Sequence, residues 1–106
     1  VTPHTASEGV VVAGAKALAA LCTNKVPFNW VAPAMPTLAM LLLSTLSSVL
    51  HSAATALAHI TADPKNVAPV VESGMCRRLV ELLLHTDLTV VLPCLEAVSN
   101  ICAVDL

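Results

Sequence analysis

Aromatic side chains are almost missing from this sequence. Phe28 and Trp30 are the whole complement of Phe, Tyr and Trp, 2% of 106 residues. Any core must therefore be packed with Leu, Val and Ala, and Leu and Ala favour helix. Charge is scarce too: 11% of residues are Asp, Glu, Lys or Arg, and none falls between positions 26 and 62. The net charge of −2 and a pI near 6.0 leave no basic footprint for nucleic acid. The adjacent pair Arg77-Arg78, with Glu81 one helical turn after Arg77, reads as a solvated helix face. The four cysteines, Cys22, Cys76, Cys94 and Cys102, form no C-x-x-C pair. They are expected to be reduced and to pack as small hydrophobes in an intracellular protein. The opening "VTPHTASEGV" has no positive n-region and carries Pro3 and Glu8, so it does not read as a secretory signal.

What is abundant is apolar surface: 57% of the residues are hydrophobic and the mean hydropathy is +0.83. That excludes a disordered chain and raises the possibility of a bilayer span at 31–50, "VAPAMPTLAMLLLSTLSSVL". Pro33 and Pro36 leave a continuous helix only from about residue 36. The hydroxyls of "STLSS" (44–48) then favour a cap or turn over an unbroken apolar helix. No cluster of Lys and Arg or aromatic belt marks the ends. Two short helices joined at "STLSS", with no membrane contact, are the expected arrangement.

Internal repetition decides the fold class. "AKALAALC" (15–22), "ATALAHIT" (54–61) and "CLEAVSNIC" (94–102) share one pattern. Leu21, Ile60 and Ile101 hold matching places, roughly 40 residues apart, which is the period of armadillo and HEAT arrays. "TASE" at 5–8 has the capping-box form and predicts a helix over 6–22. "TNKVPFN" is expected as a loop, followed by helices at 36–43 and 47–61. "ADPKN" is a turn, with Asn66 capping a helix that runs to Glu72. Gly74 suits a left-handed position, and helices at 75–85 and 88–102 complete the chain. The expected fold is all-α: an armadillo-type right-handed α-solenoid fragment of about two and a half helical repeats. Its parts are a third helix at 6–22, a second repeat at 27–62 and a third repeat at 64–103.

At this point the residues resemble the central armadillo repeats of importin alpha, the adaptor for nuclear localisation signals. "GMCRRLVELLLHTDLTVVLPCLEAVSNI" (74–101) is similar to the family's repeats, with Pro93, Leu95, Ala97, Val98, Asn100 and Ile101 matching its third helix. "LCTNKVPFN" (21–29) is similar to the family loop L-C-R-N-K-x-P. The resemblance implies a groove in which paired Trp and Asn on successive third helices hold an extended basic peptide. Indole faces flank Lys stems and Asn amides bond the peptide backbone. At those places this chain carries Lys16 and Ala20, then Thr55 and His59, then Glu96 and Asn100. Asn100 alone keeps the family's chemistry. Lys16 repels a cationic peptide, and Ala20 bonds none, so import-signal binding is expected to be weak or absent.

No other constellation competes. His51 and His59 lie two turns apart, too far for an i,i+4 metal pair. His85 ends a helix, where positive charge suits the dipole. Cys94 and Cys102 read as core, and Trp30 as a loop residue covering the repeat interface. There is no triad order, phosphate loop or carboxylate pair, so neither an enzyme nor a cofactor is expected. The resemblance implies a basic peptide or another protein as partner, in cytoplasm and nucleus. Alternatives are a purely structural, truncated or engineered fragment and a membrane-associating hairpin. Repeats bury their core only against neighbours, so self-association through uncovered repeat faces is expected.

Overall fold

Leucine and alanine at helical spacing give six α-helices, seen here in a computed structural model that describes residues 3–22 and 28–104. The helices are α1 (Pro3–Cys22), α2 (Phe28–Leu41), α3 (Ser47–Thr61), α4 (Val67–Glu72), α5 (Cys76–Leu82) and α6 (Leu88–Cys102). A 3-10 turn, Pro64–Asn66, leads into α4. No strand occurs among the described residues. α3 and α6 are each 15 residues long and begin at Ser47 and Leu88, one repeat period apart. α3 lies between α1 and α6 and rests on α2 and α4.

That placement explains the apolar character of α3. Val49, Leu50, Ala53, Ala54, Ala56, Leu57, Ala58 and Ile60 of α3 are all buried, so this helix has apolar contacts almost all round. A helix that is hydrophobic on every side is a buried one. Its four alanines let neighbouring backbones approach where leucines would hold them apart. The "STLSS" segment is the turn before α3, closed by the Leu46 N–H donating to the Ser44 hydroxyl oxygen at 3.0 Å. No helix among the described residues is long and apolar enough to cross a membrane.

Several expected boundaries move. α2 begins at Phe28, well before residue 36, and runs through both Pro33 and Pro36. Val31, Met35, Leu38 and Leu41 form its buried stripe, at steps of four and three. Pro33 and Pro36 lie on the exposed side, as do Asn29 and Ala32, the residues four positions earlier. The carbonyls left without an N–H donor therefore lie on the solvent side of α2 and not in its core. Trp30 is therefore helical and 60% exposed, and it covers no repeat interface. α1 starts at Pro3, where the fixed φ of proline suits a first turn. "TASE" thus lies inside the helix, and its side chains fall outside the described residues, as does most of the expected loop (23–27).

Asn66 does not cap α4 with its side chain. It is 1% exposed and its Nδ2 donates to Ile60 O at 3.2 Å, tying the 3-10 turn to the end of α3. α5 is shorter than expected: it ends at Leu82 and unwinds through 3-10-type bonds, His85 N–H to Leu82 O among them. Gly74 has φ of +81°, the left-handed value needed to turn α4 into α5. Asp87 caps α6, its carboxylate accepting from Thr89 N–H at 2.9 Å and from the Thr89 hydroxyl at 2.7 Å. Those bonds hold its carboxyl below the usual range.

Two substitutions test this packing by urea or thermal unfolding. Leu57→Ala, at a fully buried site in α3, should lower stability by about 2–5 kcal/mol. Gly74→Ala, which forces a Cβ into left-handed backbone, should lower it by about 1–2 kcal/mol.

Candidate peptide groove

The residues singled out in sequence sit on the three long helices α1, α3 and α6. Lys16 and Ala20 are exposed on α1, Thr55 and His59 half-buried on α3, Glu96 exposed and Asn100 half-buried on α6. The repeat period places them as three successive pairs, each one helical turn apart. Their chemistry differs from the expected ladder in one decisive respect. The Asn100 amide is turned toward α3, where Nδ2 donates to Ala58 O at 3.1 Å and to Thr61 Oγ1 at 3.2 Å. Thr61 passes the chain on, its hydroxyl donating to Leu57 O at 2.7 Å. An Asn amide has two N–H donors, and both are engaged in joining α6 to α3.

Thr55 is also spent locally: its hydroxyl donates to His51 O one turn back, at 2.7 Å. His51 in turn spans the joint, its Nδ1 lying 2.6 Å from Thr89 O. A carbonyl oxygen only accepts, so Nδ1 carries the proton. At the far edge Arg78 Nε donates to Leu42 O at 2.7 Å. This corrects the sequence expectation for Arg77-Arg78. Arg77 is exposed, while Arg78 is half-buried and closes an open carbonyl after α2. His85 lies three residues past the end of α5, where its Nδ1 accepts from Asp87 N–H at 3.0 Å and braces the turn into α6.

These three ties (Arg78 to Leu42, His51 to Thr89, Asn100 to Ala58 and Thr61) were not found from sequence. Each joins a side chain to a partner about one repeat away. The only sequence signal is a polar residue at a helix position whose neighbours are apolar, which Asn100 does show.

The cysteines offer no reactive centre. Cys22 and Cys94 are buried, Cys76 is half-buried, and all four are free thiols. Burial pushes the Cys94 thiol up to about 11 and raises those of Cys22 and Cys76. Such thiols stay protonated and are poor nucleophiles or metal ligands. Cys102, expected in the core, is exposed at the last residue of α6. No group of three metal-capable side chains occurs among the described residues.

The armadillo/beta-catenin-like repeat family matches residues 63–103, the stretch from the turn before α4 to the end of α6. Importin subunit alpha-4 of Arabidopsis thaliana is 40% identical over 87 residues, covering 79% of this chain and 16% of the relative. The chain belongs with the armadillo repeats of the importin alpha family. Importin subunit alpha-1a of Oryza sativa subsp. japonica is 41% identical over 75 residues, 70% of this chain and 14% of the relative. Importin subunit alpha-7 of Arabidopsis thaliana is 31% identical over 101 residues, 92% of this chain and 19% of the relative. The chain thus spans less than a fifth of the length of these importin alpha subunits. In fold it is similar to an engineered protein of known crystal structure, at a TM-score of 0.72 and 28% identity. That likeness covers 89% of this chain and 40% of the engineered one. Armadillo repeats of the importin alpha family are protein-interaction modules, and the all-α stack described above is of that kind.

The Asn100 link can be measured directly. Asn100→Ala should lower stability by about 1–2 kcal/mol, because it leaves Ala58 O and Thr61 Oγ1 without their donor. In a double-mutant cycle with Thr61→Val, unfolding free energies should show a coupling of about 0.5 kcal/mol or more. An Asn100 that served only a bound peptide would show no coupling.

Proposed function

We propose that this chain is a protein-interaction module of importin alpha type whose grip on basic import-signal peptides is weak. Its repeats divide at 27–62 and 64–103, with α1 as the third helix of a preceding unit. It acts where import adaptors act, in the cytoplasm and nucleus, and performs no catalysis. The observation that carries the weak-grip reading is the orientation of Asn100, whose two amide donors already bond Ala58 O and Thr61 Oγ1. Lys16 supports it, because an exposed ammonium on α1 repels the cations of such a peptide. His59 has a ring but no indole face, and Thr55 has committed its hydroxyl to His51 O. Glu96 is the one exposed acid in the row and the natural contact for a lysine of the partner.

A fluorescently labelled Lys-rich import-signal peptide, titrated by anisotropy, tests this reading. The unaltered chain should bind with a Kd weaker than about 100 µM. Restoring the family's first pair, by Lys16→Trp with Ala20→Asn, should tighten binding by about tenfold or more, since it supplies a stacking face and an amide. Low-micromolar binding by the unaltered chain would overturn the weak-grip reading. Absence of any gain in the double variant would show that the row is not the peptide site.

A further inference from the structure

We infer, taking the row of long helices as the peptide site, that it accepts an extended partner segment of mixed charge. That segment carries one acidic and one basic side chain, about six residues apart. α3 and α6 align without a gap at a shift of 41 positions, and α1 and α3 at a shift of 39. Lys16 on α1, Thr55 on α3 and Glu96 on α6 therefore hold one repeat position. A cation, a neutral hydroxyl and an anion follow one another across the row. A uniformly basic ligand meets repulsion at the first of these, and a uniformly acidic one at the last. A ligand with its acid at Lys16 and its base at Glu96 is attracted at both.

The side of the row that carries this gradient is open within the stack itself. α3 has α1 and α6 on its two flanks and α2 and α4 beneath. Its accessible residues mark the one side left: His51 is exposed, and Thr55 is half-buried. Because α3 has a helix on each flank, this exposure does not come from a missing neighbour. The same two places on α6 are Leu92, 61% exposed, and Glu96, exposed. On α1 they are Val12, half-buried, and Lys16, exposed. A helix stacked on the outer flank of α1 or α6 would leave this side accessible, as α1 and α6 do for α3.

The packing also sets the spacing of the charges. Neighbouring helix axes lie about 10 Å apart, so Lys16 and Glu96 are separated by about 20 Å across two joints. An extended chain advances about 3.3 Å per residue, and about six residues cover that interval. The stretch between the charges crosses α3, which carries no Asp, Glu, Lys or Arg, so small uncharged residues suit it. Beside Glu96, Leu92 lies one turn back and offers an apolar surface to the methylene stem of a lysine. Lys16 and Glu96 both reach solvent, so each contact changes affinity only a few-fold and weakens with salt.

Blocked, labelled peptides titrated by fluorescence anisotropy with the 106-residue chain, up to about 1 mM, test this. One peptide has an Asp and a Lys six positions apart on a neutral spacer. The others have two Lys, two Asp, or the Asp and Lys adjacent. The unaltered chain should bind the spaced Asp/Lys peptide about fivefold tighter than each of the others. That margin should shrink in about 0.5 M salt. Lys16→Glu should move the preference to the two-Lys peptide, and Glu96→Lys to the two-Asp peptide. Circular dichroism verifies folding. If a reversal does not fold, Lys16→Gln should erase the margin over the two-Lys peptide, and Glu96→Gln the margin over the two-Asp peptide. Equal or tighter binding of a like-charged peptide by the unaltered chain, or a preference that these variants leave unmoved, would overturn the mixed-charge inference alone. No binding of any peptide by the unaltered chain or either reversal would overturn the peptide site itself as well.

Discussion

The rest of the structure depends on one helix that has almost no solvent face. α3 is closed on one side by α1, on the other by α6 and beneath by α2 and α4. Its alanines keep the neighbours close, and its leucines and valine fill the space between them. Without aromatic side chains to bridge wide gaps, a core of this composition holds only if helices approach closely. Small residues at 53, 54, 56 and 58 make that approach possible. A charged side chain at any of the buried α3 positions would have to be desolvated among apolar neighbours.

Packing of this kind is non-directional, so it does not by itself fix how one repeat sits on the next. The polar ties do that. Arg78 reaches an open carbonyl after α2, His51 reaches the first turn of α6, and Asn100 reaches the last turn of α3. Each is a hydrogen bond at the margin of an apolar joint, where a slide of one helix past the other would break it. An amide that a peptide-binding relative would present to cargo is used here to hold the joint. The same side chain cannot serve both purposes, because its donors are limited to two.

Most of the fold was legible in the residues, and for a physical reason. Leu21, Ile60 and Ile101 recur at one period because each is the last residue but one of a long helix, α1, α3 or α6. Gly74 announced its left-handed turn because other residues resist that backbone. The boundaries that misled were those where exposure mattered more than propensity. Pro33 and Pro36 lie on the exposed side of α2 and do not mark its start, so the carbonyls they leave without a donor face water. Asn66 and Asn100 carry the right groups for a cap and a groove, but an amide bonds whatever carbonyl lies within reach. Composition and period thus determined that the chain is a stack of helices. Tertiary structure alone decided which polar groups those helices use on each other, because hydrogen bonds between residues some 40 positions apart exist only once the packing has brought them together.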